Sequence, residues 1–327
     1  MSDSRVSVTG RLAPSPTGLL HLGNAWAFFL AWLACRAQQG KLVLRIEDVD
    51  AKRAKPEYIT ALTQDLQWLG LDWDEGYGKG GAAQPYVQSE RLALYAEMVE
   101  KLVRKRRVYP CFCSRKELKE LSNAPHSEDH GVVYPGTCRG LSLACREQKI
   151  ACGVPYALRL ACEQEQIFFY DACLGSQSFC PADFGGDFPI KRSDGVYSYQ
   201  LAVAVDDALM GVTQVVRGND LLISTARQIL LLQLLNLPVP KVYLHVPLLV
   251  DEQGERLAKR HNALSLRSLR ERGVKPWQII GLLASIANMN PFDETMDVRE
   301  LISSFDPKVL GDGTRHLTTR LLQKFLS

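Results

Sequence analysis

The first 50 residues carry two kinds of hydrophobic pattern. From Val6 a short apolar run predicts a strand, the Pro- and Gly-bearing stretch RLAPSPTGLL interrupts it, and WAFFLAWLAC at 26–35 continues as an apolar helix that closes near Gly40. LVLRI at 42–46 then predicts a second strand followed by acidic residues, completing a β-α-β unit. The rhythm returns far downstream in YQLAVAVDD, TQVVRGND, a helix after Ser224 and KVYLHVPLLV, which predict further strands alternating with helices. Together they predict an α/β chain with a parallel sheet split by an insertion. The expected units are a first half of the sheet domain over 1–100, the insertion over 101–190, the second half over 191–260 and a helical end over 261–327. The insertion has a loop-rich middle, SNAPHSEDHGVVYPGTC, and beyond Arg260 the strand signals stop in favour of LSLRSLRERG and PWQIIGLLASIANM.

Composition narrows the class. With 327 residues, 46% hydrophobic and 23% charged, the chain suits a large packed core and excludes a disordered or collagen-like protein. A net charge of +3 does not mark the whole chain as a nucleic-acid binder, and the strongest basic run, KLVRKRR at 101–107, is expected as a solvated helix face. MSDSRVSVTG lacks the apolar core of a secretory signal, and LLISTARQILLLQLL holds Arg227 and Gln228, so the apolar runs predict buried helices of a cytoplasmic enzyme or binding protein with no membrane partner. The nine cysteines are an odd number, and all but Cys35 lie in the insertion. They suit reduced core thiols plus a metal site better than a disulfide framework.

Three stretches carry candidate chemistry. RLAPSPTGLLHLGN at 11–24 occupies the first strand-to-helix turn, where backbone N–H groups face an anion; Gly23 permits close approach and His21 can donate a proton to a phosphate oxygen. DEQGERLAKR at 251–260 places Arg256, Lys259 and Arg260 on a Gly-containing loop after a strand, a setting that stabilises a triphosphate as pyrophosphate departs. CFC at 111–113 and YPGTC ending at Cys138 supply three thiols for a tetrahedral metal, with Tyr134, His126, His130 and Cys145 open as the fourth ligand.

RLAPSPTGLLHLGN, RIEDVD, YSYQLAVAVDD, VVRGND and RLAKR stand in the order and spacing of the glutamate-specific class I aminoacyl-tRNA synthetases, and the chain resembles that family over about residues 6–265. The resemblance implies a Rossmann-type catalytic sheet, with HLGN matching the H-I-G-H signature and RLAKR the K-M-S-K-S loop. Arg256, Ala258 and Arg260 depart from the latter, leaving Lys259 as the ATP-contacting lysine. It further implies a glutamate site of Arg11, Leu12, Ala13, Pro14, Ser15, Glu47, Tyr199 and Arg217, and an ATP site of His21, Gly23, Asn24 and Lys259, with His21 and Lys259 acting on the phosphates. Residue chemistry agrees: Arg11 and Arg217 are candidate carboxylate clamps, Glu47 an ammonium partner and Tyr199 a hydroxyl donor at a strand end. The blander alternatives are Glu47 as a helix cap, Tyr199 as core and Arg217 paired with Asp220. A short bacterial branch of the family, which esterifies glutamate to queuosine in the anticodon loop of tRNA(Asp), carries a C-x-C and Y-x-x-x-C zinc site that maps onto Cys111, Cys113, Tyr134 and Cys138. Only 67 residues follow Arg260, which points to that branch over a synthetase with a long anticodon-binding region. The expected partners are L-glutamate, ATP with Mg²⁺, Zn²⁺ and queuosine-containing tRNA(Asp), acting on a monomer. A truncated enzyme that charges the 3′ end of tRNA(Glu) and a non-catalytic RNA-binding regulator remain as alternatives.

Overall fold

The computed structural model describes residues 7–114, 116–118, 134–257, 264–289 and 297–326. Strand β1 (Thr9–Leu12) leads through the Pro/Gly loop into helix α1 (Leu22–Arg36), and β2 (Lys41–Leu44) returns parallel to β1 with Arg11 opposite Val43. Helix α2 (Pro56–Trp68) precedes β3 (Glu75–Gly76), which extends the parallel sheet on the far side of β2. Helix α3 (Leu92–Arg104) then carries the chain into β4 (Val108–Cys111). The basic run 101–107 lies at this helix's end, where Lys101 pairs with Glu97, Arg104 with Glu100 and Arg107 with Glu165, as expected of a solvated face.

Helix α4 (Leu143–Ala151) precedes β5 (Ala157–Leu160), and β4, β5 and β8 (Phe188–Lys191) form a small antiparallel sheet. Between β5 and β8, strands β6 (Ile167–Asp171) and β7 (Gly175–Phe179) form a hairpin that leaves this sheet and joins the larger one. The stretch YQLAVAVDD is not a strand: it is helix α5 (Tyr199–Leu209), capped by the Ser198 hydroxyl. Its residues from Leu201 to Ala208 are all buried, so the apolar run has no polar face to reveal a helical period. Strand β9 (Gln214–Gly218), helix α6 (Leu222–Leu235), β10 (Val242–Val246) and β11 (Leu248–Val250) follow as predicted.

The C-terminal part holds helices α7 (Leu266–Glu271) and α8 (Pro276–Ile286), a three-residue strand β12 (Thr314–His316) paired with β11, and α9 (Thr319–Leu326). Strand β12 departs from the all-helical expectation, because Thr314, Arg315 and His316 carry no apolar signal and their pairing is dictated by β11. None of the described helices is long and apolar enough to cross a membrane.

The large sheet is laid down in two ladders, β1-β2-β3 and β7-β6-β10-β9, with β6, β10 and β9 parallel. At the seam β1 lies beside β9 without a ladder of its own: Thr213 N–H donates to Thr9 O at 2.9 Å, Thr9 N–H donates to the Thr213 hydroxyl at 2.9 Å, and the Arg11 guanidinium donates to Val216 O at 2.9 Å. The chain leaves β1 and β9 in opposite directions, making this the topological switch point where α/β sheets open a crevice. Helix α1 spans the seam, its indole Trp26 donating to Pro247 O at 2.7 Å.

Candidate active site

The seam opens into a cavity of about 370 Å³ lined by Arg11, Ala13, Ser15, Asn24, Glu47, Tyr199 and Arg217, among others. A neighbouring cavity of about 210 Å³ shares Ala13, Ser15 and Asn24 with it and continues along Pro14, Thr17 and Gly18 to His21. The RLAPSPTGLLHLGN loop is therefore the common wall of two adjoining spaces. Leu12 takes no part in either lining; its side chain is wholly buried in the core.

The floor of the larger cavity is a buried charge lattice. Arg45, fully buried just past the end of β2, reaches Asp207 at 2.7 Å and Glu47 at 3.0 Å. Asp207 also lies 3.5 Å from Arg11. Burial works against the Asp207 charge, yet the Arg45 and Arg11 guanidiniums hold its carboxyl below the ordinary range. Burial lifts the Glu47 carboxyl above its ordinary value against the same two cations. Behind this, Asp206 accepts from Arg91 at 2.7 Å, Gln88 at 2.8 Å and Tyr95 at 2.8 Å, so every buried charge there is matched. Glu47 caps no helix; it faces the cavity with one oxygen engaged by Arg45.

Arg217 sits on β9 opposite this lattice and is 5% exposed. Its Nε donates to His245 Nε2 at 3.3 Å, and its terminal nitrogens donate to Gln228 at 2.8 Å and to Thr225 at 2.6 Å. Asp220 does not hold it; that carboxylate pairs with Arg256 at 3.1 Å. Tyr199 lies at the first turn of α5 and not at a strand end, and at 37% exposure it is not a core residue.

At the head of α1, HLGN folds as a reciprocal cap. Gly23 N–H donates to His21 Nδ1 at 3.2 Å, and the Asn24 side-chain oxygen accepts from His21 N–H at 3.3 Å. That geometry makes Nδ1 an acceptor and assigns the ring proton to Nε2. A Cβ on Gly23 would meet the imidazole at 3.1 Å, so the glycine gives the ring its place. Lys259 lies outside the described residues, as do Arg260, His126 and His130. The near flank of that loop is in view: Leu257 packs beside Gly23, and beyond the loop Ser265 bridges His21 while Leu266 N–H donates to Leu20 O at 2.8 Å. Both flanks of the Lys259 segment thus lie against the HLGN turn.

In the small sheet, the Cys111, Cys113 and Cys138 sulfurs lie within 4.8 Å of one another. The Tyr134 hydroxyl is 3.4 Å from Cys111 Sγ and accepts from Cys138 N–H at 2.8 Å. Burial and the neighbouring thiols Cys138 and Cys111 push Cys113 up to about 12. The remaining cysteines are free thiols away from this group.

Sequence patterns did not point to His245, Asp171, Thr225 or Gln228. A signal was present in α6, where Thr225 and Gln228 break an apolar helix three residues apart and so share one face.

A doubly wound α/β sheet with a cation-lined cavity at its switch point, beside a helix N-terminus with a fixed histidine, is the setting in which α/β enzymes hold a nucleotide, and the two guanidiniums suit a carboxylate. Residues 7–324 match the family model described as tRNA synthetases class I (E and Q), catalytic domain, and the chain belongs to that family. It is 54% identical over 284 residues, 87% of each chain, to the Glutamyl-Q tRNA(Asp) synthetase of Nitratidesulfovibrio vulgaris. It is 49% identical over 298 residues to a protein of the same name from Symbiobacterium thermophilum, covering 91% of this chain and 92% of that one. Its fold is similar to the crystal structure of glutamate-tRNA synthetase from Elizabethkingia anophelis, with a TM-score of 0.82 and 25% identity over 98% of this chain and 70% of that one.

Proposed function

We propose that the protein activates L-glutamate with ATP and transfers it to queuosine in the anticodon loop of tRNA(Asp). The carrying observation is the meeting of Arg11, Glu47, Tyr199 and Arg217 on one cavity in a chain so similar to two proteins named for this substrate. Two guanidiniums suit the two carboxylates of glutamate, Glu47 suits its ammonium, and the Tyr199 hydroxyl borders the same space, with Ala13, Pro14 and Ser15 shaping the wall. The triphosphate lies along the adjoining cavity, at the α1 N-terminus and the His21 Nε2–H, with Gly23 and Asn24 holding the turn and Lys259 as the cation for its phosphates. A glutamate carboxylate oxygen attacks the α-phosphorus, pyrophosphate leaves with its developing charge met by the His21 Nε2–H and the Lys259 ammonium, and a hydroxyl of the queuosine cyclopentene-diol then attacks the adenylate carbonyl, releasing AMP and the hydroxyl proton; Mg²⁺ carried in on the triphosphate would add further positive charge there. Positioning and electrostatics carry the rate, with no covalent enzyme intermediate.

Cys111, Cys113 and Cys138, with Tyr134 as fourth ligand, suit Zn²⁺; a closed tetrahedral site would tie β4 to the segment that leads into α4. In this proposal 1–100 and 191–260 are the two halves of the catalytic domain, 101–190 the inserted unit, whose β6–β7 hairpin joins the catalytic sheet, and 261–327 the C-terminal unit of a cytoplasmic monomer. The test offers ATP and labelled glutamate with tRNA(Asp) containing or lacking queuosine, and with tRNA(Glu). Label on queuosine-containing tRNA(Asp) alone is the expected result. Label on the 3′ end of tRNA(Glu) overturns the acceptor, and absence of glutamate-dependent pyrophosphate exchange overturns the enzyme.

A further inference from the structure

Arg217 is a buried cation whose close partners are all neutral. Of its five N–H groups, three go to His245, Gln228 and Thr225, which leaves one on each terminal nitrogen. Among the described residues no carboxylate lies within ion-pair distance of it. Its orientation is set by a second line of groups. His245 stands directly across from Arg217 in the parallel β9–β10 register, so the two side chains share a face. The imidazole is wholly buried, and its Nδ1 meets Asp171 Oδ2 at 2.6 Å. Asp171 is itself immobilised: Oδ1 accepts from Cys173 N–H and Leu174 N–H at 2.9 Å each, and Oδ2 also accepts from His245 N–H at 3.0 Å. A carboxylate so placed fixes the ring proton on Nδ1 and turns the Nε2 lone pair toward Arg217. Thr225 completes the fix: its hydroxyl donates to Nε2 at 2.8 Å, sharing that lone pair with Arg217 Nε at 3.3 Å, while its oxygen accepts from a terminal nitrogen of Arg217. Burial holds His245 below its ordinary pKa, so the lone pair is present at neutral pH.

We propose that His245, oriented by Asp171, is a positioning residue that fixes the Arg217 guanidinium so that its two remaining N–H groups grip a glutamate carboxylate as a pair. This rests on the proposed function, since the ligand is glutamate. It assigns work to two residues that touch no substrate: a purely structural role would be met by any side chain that fills the space, whereas positioning requires an acceptor at the Nε2 place.

The experiment measures glutamate-dependent ATP–pyrophosphate exchange and, separately, glutamate affinity by calorimetry. Wild-type protein without glutamate-dependent exchange overturns the proposed function and leaves His245 to be judged by calorimetry alone. The variants are His245→Leu, which removes the acceptor, His245→Gln, which supplies an amide acceptor in its place, and Asp171→Asn, which frees the ring proton. Loss of one hydrogen bond to a charged group predicts a rise in glutamate KM and Kd of roughly ten- to a hundredfold in His245→Leu, with ATP KM within about threefold of wild type. His245→Gln recovers most of that loss, and Asp171→Asn resembles His245→Leu. The proposal is overturned if glutamate and ATP constants rise together, if kcat falls while glutamate KM stays fixed, or if the glutamine variant does no better than the leucine one. Should His245→Leu fail to fold, His245→Gln and Thr225→Val decide the matter by the same split.

Discussion

Asp65 lies in the last turn of α2 with its side chain wholly buried, and neither carboxylate oxygen accepts a hydrogen bond among the described residues. Its nearest cation is Arg270 of α7, at 3.6 Å. Burial raises its pKa from 3.8 to about 6, with Arg270 and Arg267 opposing the rise. The folded protein therefore holds this proton more tightly than the unfolded chain. The penalty of ionising Asp65 in place is absent below about pH 4, grows between about pH 4 and 6, and is full above that. A gap of that size corresponds to about 3 kcal/mol at about 1.4 kcal/mol per pKa unit. Asp65→Asn keeps the shape and removes the charge, but its amide is buried unpaired and Arg270 loses its partner. The net gain expected at pH 8 is thus about 1–3 kcal/mol, shrinking toward zero at pH 4.5. Guanidinium unfolding of both proteins at pH 4.5, 6 and 8 reads this directly. A variant less stable than wild type at pH 8, or a difference that does not change with pH, refutes the view of Asp65 as an unpaid carboxylate.

Further outcomes follow from the site. Arg217→Leu is expected to lower glutamate-dependent pyrophosphate exchange by roughly a hundredfold or more, through the loss of two charge-assisted hydrogen bonds, while circular dichroism stays that of wild type. Lys259→Ala is expected to abolish the exchange without altering unfolding, and retained exchange removes Lys259 from the chemistry. Gly23→Ala presses the His21 ring from 3.1 Å, so ATP KM should rise with glutamate affinity intact by calorimetry. Cys111→Ala should contain less than one zinc per chain by atomic absorption; stoichiometric zinc in that variant removes Cys111 from the site.

What the sequence made legible was local. RLAPSPTGLLHLGN declared a strand, a stiff turn and a helix start within 14 consecutive residues, and the structure places them so. The apolar helix 199–209 was not legible, since burial on all sides erases the periodicity that distinguishes it from a strand. The partners of Arg217 were hidden for another reason. His245 and Asp171 are brought to it only by strand register, across 28 and 46 residues of sequence, and an isolated His in KVYLHVPLLV looks like any core histidine. Arg45, Asp206 and Asp207 were likewise invisible as a lattice, because matched buried charges just past β2 and on α5 resemble ordinary surface charges until the fold turns them inward.

The seam between β1 and β9 bears on how the protein is made. Arg11 leaves the ribosome more than 200 residues before Val216, the carbonyl it must reach. Until β9 has emerged, β1 has a bare edge, Arg11 and Arg45 lack Asp207, and the pocket is one wall of a room not yet built. The newborn N-terminal half therefore spends most of its synthesis with cations and an apolar helix uncovered, a period in which a chaperone has something to hold.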